Sequence, residues 1–213
     1  MKNNELKIGI DIDDTSIDFV GTYILFYNQK YNKNLKRENV QFYNSGKPFG
    51  IINGEPSSLI NEFYNSKLFM EITPFPNAFE TMKKLKQAGY NLISITSRPD
   101  SLRATTENLL ERCFPNIFSD LFFSYNHYTK MNENEKSKAE ICLSENVSHI
   151  IDDSLTYCIQ CAERGIEALL FGNYHWNKGI SKEIILPEAK EDLGNEKIHR
   201  VKDWLAVGEK LLK

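Results

Sequence analysis

The sequence predicts an α/β fold: a Rossmann-like parallel sheet covered by helices on both faces, with a small helical cap inserted after the first strand. Three observations predict it. Short apolar runs of strand length recur near residues 6–12, 90–95, 121–124, 148–151 and 168–171. Segments of helical periodicity lie between them, which is the rhythm of a parallel sheet joined by helical crossovers. The stretch 17–72 has no strand pattern, yet it holds eleven of the chain's 25 aromatic residues. At 213 residues there is room for one core and a modest insertion. The expected division is therefore 1–16 and 73–213 for the α/β core, and 17–72 for the cap.

Taken in order, Leu6, Ile8, Ile10 and Ile12 alternate along the first strand, which places Asp11 and Asp13 together on its other face. Gly9 keeps the approach to that face open. The period then changes, because Phe19, Tyr23, Tyr27 and Tyr31 recur at i, i+4 as a stripe on a helix over 16–31. Clusters of Asn, Gly and Pro break the chain at 44–48 and 53–56, and helical character resumes over 57–64. A helix over 77–88 stops at Gly89, and a strand over 90–95 leads to a helix over 101–112. A short strand at 121–124, a polar loop at 126–136, a helix over 139–144 and a strand at 148–151 follow. Next come a helix over 155–164 stopped by Gly165, a last strand at 168–171, a long surface crossing over 172–199 and a closing helix over 201–212.

Bulk properties narrow the function. A net charge of −3 and a pI near 5.9 give no basic field for a nucleic acid backbone, so the expected partner is a small molecule rather than a long nucleic acid. No apolar leader and no run of membrane-spanning length are visible, which predicts a cytoplasmic protein without a membrane partner. The four cysteines read as reduced thiols. Cys158 and Cys161, spaced Cys-x-x-Cys on one expected helix, read as packing residues.

The chemistry sits at the strand ends. Asp11, Asp13 and Asp14 crowd the end of the first strand, and Asp152 and Asp153 end the strand at 148–151. Open α/β sheets bind ligands at these ends, and carboxylates gathered there suit Mg²⁺ better than zinc. Thr96 and Ser97 end a third strand, where hydroxyls can hold a phosphoryl oxygen. Lys136 and Lys138 precede a helix from which a lysine can reach back over the strand ends. Each group alone also reads blandly, as an acidic turn, a turn former or a solvated helix start.

The four motifs in this order resemble those of the haloacid dehalogenase-like phosphohydrolases over residues 6 to about 172. Within that superfamily, Asp11-Ile-Asp13-Asp-Thr-Ser-Ile-Asp18-Phe19 is similar to the start of the 5′(3′)-deoxyribonucleotidases and their bacterial relatives, and Thr96-Ser97 and Ile151-Asp152-Asp153 also fit. The sequence departs from the pattern where Asp14 and Thr15 replace a Gly and a small apolar residue, where Arg98 precedes Pro99, and where the lysine lies further from Asp152. The resemblance implies a Mg²⁺-dependent phosphatase hydrolysing a phosphate monoester, expected to be a nucleoside monophosphate. It implies Asp11 as nucleophile and Asp13 as acid/base. Asp11, the Asp13 carbonyl, Asp152 and Asp153 would form the metal shell. Thr96, Ser97 and Lys138 would hold the phosphoryl group, and Phe19 would stack on the base. Lys138 is preferred to Lys136 because it opens the helix directly. Two rivals stay open: a phosphatase of another small phosphoester, and a nucleotide-binding module without turnover.

Overall fold

The computed structural model describes residues 6–39, 58–125, 136–178 and 193–212. The breaks expected at 44–48 and 53–56, all but the last residue of the polar loop at 126–136 and much of the crossing at 172–199 lie outside these residues.

Six parallel strands form one sheet among the described residues: β1 (Lys7–Ile10), β2 (Asn91–Thr96), β3 (Asp120–Phe123), β4 (Val147–Asp152), β5 (Glu167–Phe171) and β6 (Ile198–Val201), in the order β3-β2-β1-β4-β5-β6. The helices are α1 (Phe19–Tyr31), α2 (Ser58–Tyr64), α3 (Lys67–Met70), α4 (Ala78–Gln87), α5 (Arg103–Cys113), α6 (Lys138–Ser144), α7 (Leu155–Ala162) and α8 (Trp204–Leu211). This is the doubly wound strand order, which reverses direction between β1 and β4.

Strand alternation splits the core into two layers. Ile8, Ile10, Leu92, Ile151, Leu169 and Phe171 pack with Met82 and Leu85 of α4, Leu109 of α5, and Trp204 and Val207 of α8. The intervening Ile93, Ile95, Ile150, Ala168 and Leu170 pack with Ala139 and Cys142 of α6, and with Cys158 and Cys161 of α7. All four cysteines are free and buried, as packing residues would be. Gly9 belongs to the second layer: an added Cβ would come within 2.8 Å of Ile95 Cδ1. A side chain there would have to displace Ile95 and crowd Ile150, whose Cδ1 would lie 3.1 Å away, so the glycine serves close packing in this layer.

The first half of the aromatic stripe, Phe19 and Tyr23, extends the first layer, whereas Tyr31 is exposed. Phe63, fully buried, meets Phe19 edge-on at 5.3 Å, Tyr23 at 5.1 Å and Phe69 at 5.4 Å between ring centroids. These residues are continuous with Ile8, Met82 and Trp204. α1 begins at Phe19 rather than 16 because Asp18 accepts the Gly21 N–H at 2.8 Å and caps it, and it ends at Asn32 in the left-handed region (φ 48°).

Two expectations near the C-terminal end need correction. Residues 198–201 form β6, so the strand over 168–171 is not the last and the surface crossing ends sooner. The closing helix begins at Trp204, where Asp203 accepts the Ala206 N–H at 2.9 Å.

Candidate active site

The site lies at the switch point between β1 and β4. Asp11 follows β1 directly, and its N–H donates to Ile151 O at 2.9 Å, so it stays beside β4 past the strand end. Ser16 Oγ donates to Asp11 O at 2.6 Å and closes the loop back on itself. Asp152 ends β4 and Asp153 follows it. The Ser154 N–H donates to Asp152 Oδ1 at 2.8 Å, and the Ser154 side chain caps α7.

Lys138 joins the two strand ends. Its Nζ donates to Asp11 Oδ1 at 2.5 Å and to Asp152 Oδ2 at 2.6 Å, and its side chain is 2% exposed. A capping box between Ser137 and Glu140 starts α6 at this residue and turns its stem inward. Lys136 is exposed.

Asp11, Asp152 and Asp153 each offer an oxygen within 4.8 Å of the others, and all three are buried. With all three ionised, the one Lys138 ammonium leaves two negative charges unbalanced. Burial pushes Asp11 up to about 7, with Lys138 opposing and Asp152 and Asp13 reinforcing. Burial also lifts Asp153 well above the ordinary carboxylate range, reinforced by Asp152, Asp11 and Asp14 and opposed by the Trp176 N–H. Burial alone would drive Lys138 toward its neutral form, but Asp11 and Asp152 outweigh it and hold the ammonium charged. A hard divalent cation fits this donor set, which is all carboxylate oxygen with a charge deficit of two. The nearby Cys158 thiol is turned to the Asp152 carbonyl at 3.7 Å, so it is not part of the set.

Asp13 lies near enough to Asp11 to raise its pKa, but outside the group of three carboxylates. β1 stops at Ile10, and Asp14 takes a left-handed turn (φ 54°) that redirects the chain. The side chain of Asp13 leaves the carboxylate group and meets Arg98 in a two-point pair, Nε to Oδ2 at 2.8 Å and Nη2 to Oδ1 at 2.6 Å. Arg98 is itself buried and anchored to Thr106 Oγ1 at 3.3 Å. The Gly usual in the resembled family and the Asp14 found here suit one conformation, because Asp tolerates the left-handed region better than most residues. Arg37 pairs with Asp14 at 2.9 Å and with Asp18.

The remaining expected residues surround this centre. Thr96 is buried, and its Oγ1 accepts the Arg98 N–H at 3.2 Å. Ser97 Oγ donates to Tyr157 OH at 3.0 Å, and the Tyr157 ring lies 4.6 Å from Lys138 Nζ. Phe19 is only 7% exposed, packed against Phe63 and Tyr64 with the Arg98 guanidinium 5.9 Å from its ring. Its faces are thus largely occupied by protein. Tyr157 and Trp176 are neighbours that sequence pattern did not single out, since each meets the site only through tertiary contacts. Arg98 was visible solely as a departure from the family pattern.

Fold and strand-end motifs together define a protein of the haloacid dehalogenase-like class. The chain belongs to the family described as 5′ nucleotidase, deoxy (pyrimidine), cytosolic type C protein (NT5C), whose model matches residues 4–131. A Bacillus cereus protein named "Putative nucleotidase" is 32% identical over 122 residues, covering 55% of this chain and 64% of that relative's length. Among solved structures, a "predicted phosphatase" from Clostridium acetobutylicum aligns over 98% of both chains with a TM-score of 0.63 at 14% identity. A haloacid dehalogenase family hydrolase from Deinococcus radiodurans, solved with phosphate and sodium, aligns over 97% of both with a TM-score of 0.61 at 12% identity. At these identities the structural likenesses speak for the fold.

Proposed function

We propose that this protein is a Mg²⁺-dependent phosphatase that hydrolyses a nucleoside monophosphate through an aspartyl-phosphate on Asp11. The observation that carries the reading is the buried Asp11 carboxylate, held by Lys138 and flanked by Asp152 and Asp153 at the switch point of the sheet. A carboxylate approaching a phosphate monoester meets like charge, a repulsion of roughly 4 kcal/mol at 4 Å and an effective dielectric of 20. Mg²⁺ held by Asp11, Asp152, Asp153 and the Asp13 carbonyl would neutralise that charge. Lys138 adds a fixed positive charge, and Thr96 and Ser97 hold phosphoryl oxygens.

One Asp11 oxygen attacks phosphorus, and the ester oxygen leaves with a proton from Asp13. Asp13 then takes a proton from water, which attacks phosphorus and releases phosphate from Asp11. Both Asp13 oxygens accept from Arg98, so this work requires that one of those bonds be exchanged for the transferred proton.

We assign 17–72 to a cap and 1–16 with 73–213 to the core. The chain leaves and returns at one point, where Ile17 bridges Pro74 and the Phe75 N–H donates to Ser16 O at 2.9 Å. Selection of a nucleotide rests on Phe19. Replacing Phe19 with Ala is expected to lower kcat/KM for a nucleoside monophosphate about five- to a hundredfold, as loss of a base stack would, and to affect a small aryl phosphate much less. The burial of Phe19 favours a second reading, a phosphatase of another small phosphoester, which predicts equal losses on both substrates. A phosphate-release screen over nucleotides and sugar phosphates, with Mg²⁺ and with EDTA, separates the readings. Best turnover of a nucleotide supports the first and best turnover of a sugar phosphate the second. No release at all leaves a binding module.

A further inference from the structure

Trp176 sits in the segment after β5, within a short 3₁₀ turn (His175–Asn177). Its Nε1–H donates to Asp153 Oδ2 at 2.6 Å. The indole is held there from two sides. Its ring stacks on Tyr174 at 4.5 Å between centroids with 14° between planes, and Tyr174 OH donates to Asp14 O at 3.1 Å. The turn is braced by Arg200 of β6, whose Nη1 donates to Gly172 O at 2.6 Å and whose Nη2 donates to Asn177 O at 2.7 Å. Gly172 (φ 75°) is needed because a Cβ there would overlap the Tyr174 ring. A rigid donor is thus aimed at one oxygen of the third carboxylate of the acidic group.

We propose that Trp176 is a positioning residue for Mg²⁺: its indole N–H fixes Asp153 so that Oδ1 is the oxygen presented to the cation. This rests on the phosphatase reading above. Partners of this kind, one bond removed from a metal, typically change its affinity by about 10–100-fold when removed. Trp176→Phe keeps the aromatic stack and deletes the donor. Calorimetric titration of the full chain with MgCl₂ is expected to show a Kd raised on that scale, with kcat at saturating Mg²⁺ within a few-fold of the unsubstituted protein. In an Asp153→Asn background the same change is expected to add little, because the bond it removes has lost its charge.

A measurement on the unsubstituted protein covers the case in which the variant folds poorly. The chain has two tryptophans, and Trp204 donates instead to Thr15 O at 2.8 Å. The Trp176 indole N–H resonance should shift with added Mg²⁺ along the calorimetric isotherm while that of Trp204 stays. Unchanged Mg²⁺ affinity in Trp176→Phe, full additivity with Asp153→Asn, or an indole resonance blind to Mg²⁺ that the chain demonstrably binds would overturn the assignment alone. Failure of the unsubstituted chain to bind Mg²⁺ would overturn it together with the phosphatase reading.

Discussion

Asp11→Asn is expected to reduce phosphate release to less than about a thousandth of the unsubstituted rate at saturating substrate, while leaving the fold in place. An amide oxygen is a poor nucleophile and a weaker ligand for a hard cation, so the bond-forming step and the charge that assists it fail together. Loss of an interaction made only in the transition state lowers kcat and kcat/KM equally, which is the expected signature. The fold should survive because Asp11 is placed by its backbone, through Ile151 O and Ser16 Oγ, and its side chain lies in a group with surplus negative charge. Unfolding melts and steady-state kinetics on one preparation check both halves. A variant keeping more than a few per cent of turnover removes Asp11 from the nucleophile's role.

Lys138→Met is expected to be costly in two ways. The ammonium makes short bonds to two buried carboxylates, and deleting one partner of a buried ion pair costs about 3–5 kcal/mol, because the remaining charge stays out of water. Denaturant unfolding in Mg²⁺-free buffer near neutral pH should show a loss of that size, with part of it recovered by excess Mg²⁺, which competes for the same carboxylates. Turnover at saturating Mg²⁺ should still fall about 10²–10³-fold, since the fixed positive charge on the transferring group is gone. Stability unchanged in the absence of Mg²⁺ would mean that the carboxylates are not held ionised by Lys138.

What the sequence made legible, and what it did not, follows the range of the interactions. Strands β1, β2, β4 and β5 announce themselves through short buried runs rich in Ile and Leu: Ile8 and Ile10, Leu92 to Ile95, Ile150 and Ile151, and Ala168 to Phe171. β6 hides because it is an edge strand whose middle residues, His199 and Arg200, are polar and only half-buried. Lys138 was legible because it opens the helix directly, and the structure adds the capping box of Ser137 and Glu140 that fixes where α6 starts. The pairing of Asp13 with Arg98 was not legible, since strand alternation places a side chain on a face without naming its partner. Arg98 and Trp176 lie 85 and 23 residues from the carboxylates they hold, and no periodicity or spacing rule spans such distances. Phe19 shows the limit from the other side: its position in the motif was readable, but its packing against Phe63 and Tyr64 was not.

The most direct test of the account is to trap the covalent intermediate. The protein is mixed with its best substrate and Mg²⁺, quenched in acid, reduced with borohydride to convert an acyl phosphate to an alcohol, digested and sequenced by mass spectrometry. The account predicts reduction at the Asp11 side chain, dependent on substrate and absent from Asp11→Asn. Steady phosphate release with Asp11 unmodified, or with the reduced carboxylate at Asp13, Asp152 or Asp153, would contradict it.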